Sequence, residues 1–286
     1  MGLRFTPLHP LFVAEVRDID LRATYDRATL DEIRDGMDRF AVLVFRDQPL
    51  TDAEQLEFAQ RFDGQLHAKT GSAALGRNRF GNEALTDISN VDENGQVMAA
   101  DDRRRHYGLA NRLWHTDASF ENPPGRYSLL STRVLPPDGA NTEFADMRAA
   151  WDALPSALQA ELQDLHAHHS IAYSRQTLGF DFSAEELARL EGAVHPLVRR
   201  NPDTGRRALY LASHASRIVE RSLPEGRLLL RELIEHATQP RFVYSHTWQD
   251  HDLVIWDNRA TMHRARPFED LRHRRELRRV TTLDLH

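Results

Sequence analysis

Arg241-Phe-Val-Tyr-Ser-His-Thr-Trp248 opens a series of three strand-like runs, which continues with Asp252-Leu-Val-Ile-Trp256 and Glu276-Leu-Arg-Arg-Val-Thr-Thr-Leu283. Short apolar runs bounded by turn residues are typical of buried strands. Ala41-Val-Leu-Val-Phe45 and Tyr127–Val134 have the same character earlier in the chain. Helical segments are inserted between these strands without regular alternation, which disfavours a doubly wound parallel sheet. The sequence therefore predicts a mainly β fold, with a double-sheet core and flanking helices.

Helix starts are marked by capping boxes, in which a Ser or Thr is followed three residues later by Glu. The sequence has three of them: Thr29–Glu32, Thr51–Glu54 and Ser183–Glu186. Residues 146–166 are predicted to be helical with a break at Pro155, and residues 226–237 form an amphipathic helical pattern. We therefore expect helices after each box and in these two segments.

The segment from residue 64 to about residue 110 has a poor pattern, in which Gly, Asn, Asp and charged residues dominate. A long irregular segment in a compact domain is often a lid or a binding loop, and Asp101–His106 is predicted to be a solvated loop within it. Asn201-Pro-Asp-Thr-Gly205 separates two apolar runs and predicts a hairpin turn.

The composition is that of an ordinary globular protein of one domain, residues 1–286, because no linker divides the chain. Hydrophobic residues make up 41% of the 286 residues, and 37 basic against 43 acidic residues give a net charge of −6. This mild acidity disfavours nucleic-acid binding. No signal peptide or membrane span is evident, so the expected compartment is the cytoplasm. Without any cysteine, a metal site must use His, Asp, Glu or backbone oxygen.

Trp114-His115-Thr116-Asp117 is the strongest local signal for chemistry. On an extended segment, residues two apart point to the same face, so His115 and Asp117 form one edge of a candidate metal site. His263 follows a buried strand and is the candidate third ligand. Two His and one carboxylate form the facial triad of non-haem Fe(II) oxygenases. His-x-Asp alone is a weak signal, and the alternative is a stabilising His–Asp pair at a strand end.

Arg275 and Arg279 are candidates for binding anions near this site. They share one face if Glu276–Leu283 is a strand, because they differ by four positions. A guanidinium suits the far carboxylate of a 2-oxoacid cosubstrate, and the second guanidinium could bind an anionic substrate. The alternative is a surface basic run, which is our interpretation of Arg272, Arg274 and Arg278.

The chain resembles the Fe(II)/2-oxoglutarate-dependent dioxygenases of the taurine dioxygenase type, closest to the 2,4-dichlorophenoxyacetate (aryloxyalkanoate) dioxygenases. The resemblance covers nearly the whole chain. Its motifs are Pro7-Leu-His-Pro-Leu-Phe12, Val42-Leu-Val-Phe-Arg46, Asp87-Ile-Ser-Asn-Val91, Trp114-His-Thr-Asp117, Phe144–Pro155, Glu235-His-Ala-Thr238, Trp256-Asp-Asn-Arg259, His263-Arg264 and Arg274–Arg279. The resemblance implies a double-stranded β-helix, or jelly-roll, core.

The resemblance also implies the roles of single residues. His115, Asp117 and His263 would bind Fe(II), while Arg275 and Thr142 would bind 2-oxoglutarate, with O2 as the other cosubstrate. Arg279 and His214 would bind substrate. The chain departs from the family pattern at Gly139-Ala-Asn-Thr142, where Gly-Gly-Asp-Thr is usual. Ala140 would disfavour a positive φ that glycine accepts.

The activity implied is hydroxylation of the carbon between the ether oxygen and the carboxylate of an aryloxyalkanoate, a small anionic aromatic substrate. The products would be a phenol, a 2-oxoacid such as glyoxylate, succinate and CO2. Oxidation of taurine, an alkylsulfonate or an alkyl sulfate is the first alternative, and a non-catalytic jelly-roll binding protein is the second. The resemblance also allows a homo-oligomer.

Residues that could line the entrance have weaker support. They are Lys69, His67, Asn90 and Asn111, each of which could equally be a loop residue without a role. Arg217 stands where the aryloxyalkanoate enzymes have a second histidine, and we interpret it as solvated.

Overall fold

A computed structural model describes residues 2–23, 26–68 and 79–285. Its strands are β1 (Arg4–Pro7), β2 (Ala14–Arg17), β3 (Val42–Phe45), β4 (Thr86–Ser89), β5 (Gly125–Val134), β6 (Thr142–Asp146), β7 (His166–His169), β8 (Ala193–Pro196), β9 (Val198–Arg200), β10 (Arg207–Leu209), β11 (Ala215–Ile218), β12 (Val243–His246), β13 (Leu253–Asp257), β14 (Thr261–Ala265) and β15 (Glu276–Leu283). Its α-helices are α1 (Arg27–Phe40), α2 (Asp52–Asp63), α3 (Arg103–Gly108), α4 (Met147–Asp152), α5 (Ser156–Leu162), α6 (Ile171–Gln176), α7 (Ala184–Leu187) and α8 (Leu223–Ala237). Among the described helices, none combines the length and the apolar composition needed to cross a bilayer.

The larger sheet has seven strands in the order β1-β2-β3-β13-β5-β15-β4. All its neighbours are antiparallel except β2 and β3, which run parallel. Both faces of this sheet are covered. Leu43 and Phe45 pack with residues of α1 and α2 on one side, and Val42 and Val44 pack toward the second sheet on the other. A strand buried on both faces has a continuous apolar sequence, as residues 41–45 do.

The second sheet of the core has three strands in the order β12-β6-β14. Phe144 of β6 packs with Val254 and Trp256 of β13 between the two sheets. Its neighbours Ala145 and Met262 face the other way, into a cluster with residues of α4, α5 and α8. The predicted architecture, two sheets with helices outside, is therefore confirmed.

The predicted strands and the hairpin at residues 201–205 are present with small differences in length. Residues 240–242 form a 3₁₀ turn, so the first of the three final strands begins at Val243. The helical segment from residue 146 breaks at Pro155 as predicted, but it ends at Leu162 and β7 begins at His166.

Two of the predicted capping boxes are confirmed and one is wrong. Thr51 with Glu54 and Ser183 with Glu186 have both reciprocal hydrogen bonds. In α1 the cap is Asp26, which accepts from the Thr29 backbone N–H, so the helix begins earlier than the box at Thr29 predicted. The carboxylate of Glu32 instead accepts a hydrogen bond from the backbone of Leu3.

The segment from residue 64 to residue 110 contains more structure than its sequence predicts. β4 lies within it and pairs with β15 at the edge of the larger sheet. Asp102 caps α3 by accepting from the Arg104 backbone, so residues 101–106 are mostly exposed as predicted, but the prediction that they form a loop is wrong. A six-residue helix with three consecutive arginines has no apolar periodicity from which it could be predicted.

Candidate active site

His115 and His263 are held opposite each other by the backbone. The N–H of His115 donates to the carbonyl of His263 (3.0 Å), and the N–H of His263 donates to the carbonyl of His115 (2.8 Å). A residue pair that exchanges both hydrogen bonds places its side chains on the same face of the sheet. The two imidazole ring centroids accordingly lie 4.2 Å apart. The core thus joins residues that are far apart in sequence.

Asp117 completes the group, two residues after His115. Its carboxylate lies 3.9 Å from Nε2 of His115 and 3.6 Å from Nε2 of His263. Two polar residues hold it: Asn258 Oδ1 accepts from the Asp117 backbone N–H (3.1 Å), and Ser128 Oγ donates to Asp117 Oδ2 (2.8 Å). Asn258 also donates to Ser128 Oγ (2.9 Å), so the two supports are linked.

These three side chains fit a metal ion of the Fe(II) type. One ligand atom from each lies within 4.8 Å of the others, and all three residues are buried. The Nδ1–H of His115 donates to the carbonyl of Leu113 (2.8 Å), which leaves Nε2 as a free donor atom for the metal. Two imidazoles and one carboxylate on one side leave the remaining coordination positions for cosubstrate and O2.

Burial and neighbouring charges set the protonation of the group. Burial lowers the pKa of His115 to about 4 and the pKa of His263 well below its ordinary 6.5. Burial alone would raise the pKa of Asp117, but the Arg279 charge and the hydrogen bond from Ser128 favour the ionised form, and that pKa is lowered. Neutral imidazoles and an ionised carboxylate are the forms that bind a metal.

Arg279 lies beside this group on β15, and its guanidinium donates to Asp117 Oδ1. The Nε atom of Arg279 has no hydrogen-bond partner among the described residues. The structure thus places the predicted substrate-binding cation in contact with a predicted metal ligand.

Arg275 is buried, with 6% of its surface exposed, and burial lowers its pKa to about 10. It therefore keeps its charge near neutral pH. Its guanidinium has one weak contact, a 3.4 Å donation to the carbonyl of Ala140, and no carboxylate of the described chain pairs with it. A buried cation with so few partners is suited to an anionic ligand.

Thr142 begins β6, two residues after Ala140, so it lies close to the backbone that Arg275 contacts. Its hydroxyl oxygen accepts from Trp248 Nε1 (3.0 Å), which leaves the Thr142 hydroxyl hydrogen free to be donated to an anion. Ala140 has φ +58°, the left-handed conformation for which the family pattern has glycine.

The family model described as taurine catabolism dioxygenase TauD, TfdA family matches residues 4–281. The chain belongs to this family.

Two relatives match over almost the entire TauD/TfdA chain. Both are named alpha-ketoglutarate-dependent 2,4-dichlorophenoxyacetate dioxygenase. The protein from Cupriavidus pinatubonensis is 47% identical, with 99% of each chain covered. The protein from Burkholderia sp. (strain RASC) is 46% identical, covering 99% of this chain and 95% of the relative. The predicted class, an iron enzyme that uses 2-oxoglutarate and O2, is confirmed.

A solved structure supports the fold. The crystal structure of AAD-2 in complex with Mn(II) and N-oxalylglycine superposes with a TM-score of 0.95 at 44% identity, and covers 100% of this chain and 99% of that chain. The predicted jelly-roll core of this TauD/TfdA-family dioxygenase is therefore confirmed.

His214 lies near the group, with its ring centroid 5.8 Å from that of His115 and 5.0 Å from that of Phe120. Both of its ring nitrogens contact protein: Nδ1 lies 3.3 Å from Ser119 Oγ, and Nε2 accepts from Arg175 (3.1 Å).

The predictions from sequence did not include Arg175, Ser128 or Asn258 among the site residues. Asn258 carries a signal, since it is polar and directly follows a buried strand, whereas Arg175 carries none.

Several weaker expectations have clear structural outcomes. Arg278 is buried (7% exposed) and paired with Glu276 and Asp87, so its assignment to a surface run is wrong. Asn90 donates to the carbonyls of Asp270 and His273 and accepts from the Arg275 backbone N–H, so it holds the segment before β15.

The other residues expected near the entrance have these positions. His67 Nε2 contacts the carbonyl of Pro123, and Asn111 accepts from Arg175. Arg217 is exposed, and Lys69 lies outside the described residues.

Proposed function

We propose that this chain, as a single dioxygenase domain over residues 1–286, oxidises aryloxyalkanoates. It hydroxylates the carbon between the ether oxygen and the carboxylate, and the hemiacetal formed collapses to a phenol and a 2-oxoacid such as glyoxylate. The observation that carries the proposal is the convergence of His115, Asp117 and His263, with the partly buried Arg279 in contact with Asp117. The 46–47% identity to proteins named for 2,4-dichlorophenoxyacetate supports the substrate class.

The metal and cosubstrate would be held by residues already described. Fe(II), bound by His115, Asp117 and His263, supplies the oxidation together with 2-oxoglutarate and O2, yielding succinate and CO2. Arg275 binds the far carboxylate of 2-oxoglutarate, and Thr142 donates its hydroxyl hydrogen to the same group. Because burial excludes water around Arg275, this ion pair is stronger than one at the surface.

Substrate positioning follows from the location of Arg279. Its guanidinium touches Asp117, so a carboxylate bound by Arg279 lies next to the metal group. The carbon attached to that carboxylate is then the part of the molecule nearest the oxidant, which explains hydroxylation at this carbon and not on the ring. His214, packed edge-on against Phe120, lines the space beside it and contacts the aryl part of the substrate.

A substrate panel scored by succinate release tests the proposal. The panel contains phenoxyacetate, both enantiomers of 2-phenoxypropionate, taurine and an alkyl sulfate, each with Fe(II) and 2-oxoglutarate. We expect the aryloxyalkanoates to give the highest kcat/KM, with one phenol released per succinate. Sulfite from taurine or sulfate from the ester at higher kcat/KM would contradict the substrate class, and absence of succinate with every compound would favour a binding protein. His115→Ala should abolish succinate release.

A further inference from the structure

Arg175 is a buried arginine of α6 that the functions described so far leave unused. Only 5% of its surface is exposed, and its guanidinium lies over the ring of Tyr107, 4.7 Å from the ring centroid. Burial lowers its pKa from the ordinary 12.5. A buried guanidinium without a partner of opposite charge is strongly unfavourable.

The side chains that accept hydrogen bonds from Arg175 are neutral. One terminal nitrogen donates to Ser174 Oγ (2.9 Å) and His214 Nε2 (3.1 Å), and the other donates to Asn111 Oδ1 (3.2 Å). In the part of the chain that the structure describes, no carboxylate forms an ion pair with it, and its Nε has no hydrogen-bond partner. The positive charge of Arg175 is therefore held in place but not neutralised.

The position of Arg175 links it to the metal group. It contacts His214, whose ring lies 5.8 Å from that of His115, and its own pKa is lowered further by the charge of Arg279. Two guanidinium groups, the buried Arg175 and the partly buried Arg279, thus lie in one region with one carboxylate, Asp117. The region has an excess of positive charge that an anionic ligand would neutralise.

The ring nitrogens of His214 are both occupied by protein partners, so Arg175 and not His214 is the candidate for binding the anion. Arginine only donates, so His214 Nε2 must accept and its Nδ1 must carry the hydrogen, which Nδ1 donates to Ser119 Oγ. Ser119 then donates to His169 Nδ1 (3.0 Å). Neither nitrogen of His214 is left to donate to an anion. Phe120, Phe180 and Ile171 pack with Tyr107 in a small apolar cluster in the same region.

We propose that Arg175 is a second anion-binding residue of the substrate site, which together with Arg279 selects a carboxylate attached to an aromatic group. The proposal rests on the proposed function and deepens it. Arg279 holds the carboxylate near the metal group, while Arg175 supplies a second positive charge through its Nε–H, which has no partner among the described residues. The site therefore discriminates against uncharged analogues of the same shape.

The test compares phenoxyacetate with its uncharged analogue phenoxyacetamide in the Fe(II)- and 2-oxoglutarate-loaded enzyme. In Arg175→Met we expect the ratio of kcat/KM for acid over amide to fall by about 30-fold or more, with the KM for 2-oxoglutarate nearly unchanged. Arg175→Lys, which keeps the charge, should retain part of the preference. Arg217→Met is the matched control, since Arg217 is exposed near the same histidine, and should leave the ratio unchanged.

A binding measurement gives a second readout. Calorimetric titration of phenoxyacetate into the enzyme with Mn(II) and 2-oxoglutarate, without O2, should show a raised Kd in Arg175→Met. An equal loss for acid and amide, or an unchanged ratio, would overturn the proposal and make Arg175 a structural residue. If Arg175→Met does not fold, Arg175→Lys and Arg175→Gln are compared by their ratio of kcat/KM for acid over amide. A larger fall of this ratio in the Gln variant supports the proposal, and equal falls overturn it.

If the wild-type enzyme does not oxidise phenoxyacetate, the proposed substrate is wrong. Arg175 is then judged on whichever anion of the panel releases succinate, against its uncharged analogue.

Discussion

Arg279 donates a hydrogen bond to Oδ1 of Asp117, so the cation proposed to bind substrate also contacts a proposed metal ligand. The substrate carboxylate would bind the positive charge of Arg279, and the metal would bind the negative charge of Asp117. Because these two side chains contact each other, binding of one ligand affects binding of the other. An incoming carboxylate that draws Arg279 toward itself weakens the hold of Arg279 on Asp117, which leaves the carboxylate of Asp117 more available to the metal. This relationship gives opposite expectations for the two ligands when Arg279 is removed.

In Arg279→Met, the KM for phenoxyacetate should rise by about 30- to 5000-fold, the effect of losing a largely desolvated charged partner. The Kd for Mn(II) should not rise, and should fall a few-fold, because a positive charge next to the metal has been removed. Steady-state kinetics and a metal titration check the two effects. Weakened Mn(II) binding would show that Arg279 supports the metal group and does not oppose it.

Arg275→Ala should affect the cosubstrate and not the substrate. The buried cation has no carboxylate partner in the described chain, so the far carboxylate of 2-oxoglutarate would be its main counterion. We expect the KM for 2-oxoglutarate to rise by about 30-fold or more, while the KM for phenoxyacetate changes much less. Arg274→Ala is the control, because that side chain is half exposed and paired with Glu276. The reverse pattern of KM changes would exchange the roles of Arg275 and Arg279.

The parts of the site that sequence reasoning found are those with a local pattern. His115 and Asp117 are separated by two positions, the period of an extended segment, and His263 follows an apolar run that had to be a buried strand. Arg275 and Arg279 were selected by their spacing. What the sequence did not show is the register that places His115 opposite His263, because strand pairing over such a separation is a property of the whole core.

The site predictions from sequence were wrong or incomplete for residues whose burial depends on tertiary contacts. Arg278 belongs to a strongly basic run, yet it is covered because Glu276 and Asp87 compensate its charge. Arg175 lies in a one-turn helix without apolar periodicity, and its burial depends on Tyr107, Asn111 and His214 from other segments. Single-sequence patterns report which face of an element is apolar, and they carry no information about charges neutralised by distant partners.

Ser128→Ala removes a support of a proposed metal ligand without touching the metal itself. Ser128 Oγ donates to Asp117 Oδ2 and accepts from Asn258. Loss of such a supporting hydrogen bond typically weakens metal binding by about 10- to 100-fold, and Mn(II) titration should show a rise of this size in Kd. Ser131→Ala is the matched control: Ser131 is buried on the same strand but bonds to Gln55. An equal loss in both variants would indicate a general effect on β5.

Gly125→Ala should disturb the metal group through the backbone. A Cβ at this position would lie 2.8 Å from Thr281 Cγ2, which is too close, and 3.1 Å from the carbonyl oxygen of Asp117, which is tight and requires that neighbour to shift. We expect a loss of about 1–3 kcal/mol in the free energy of unfolding, together with weaker Mn(II) binding. Gly108→Ala, where a Cβ would meet nothing within 4 Å, is the control and should not destabilise α3. Unchanged metal affinity in Gly125→Ala would show that Asp117 is positioned independently of this contact.

Glu276→Gln tests the charge network beside Arg275. Glu276 contacts Arg79, Arg274 and Arg278, and its pKa is lowered from 4.5 to about 2; burial opposes this shift, and the arginines outweigh it. A carboxyl with a lowered folded-state pKa stabilises the protein above its unfolded pKa and loses that stabilisation as the pH falls toward the folded value. The shift corresponds to on the order of 3 kcal/mol.

The free energy of unfolding of wild type should therefore exceed that of Glu276→Gln near neutral pH. This difference, the gap between the two proteins, should narrow as the pH falls from about 5 to about 3. Urea denaturation across this range measures the gap, with the exposed Glu232→Gln as control. A gap that stays constant with pH would show that the three arginines stabilise the folded protein without depending on the charge of Glu276.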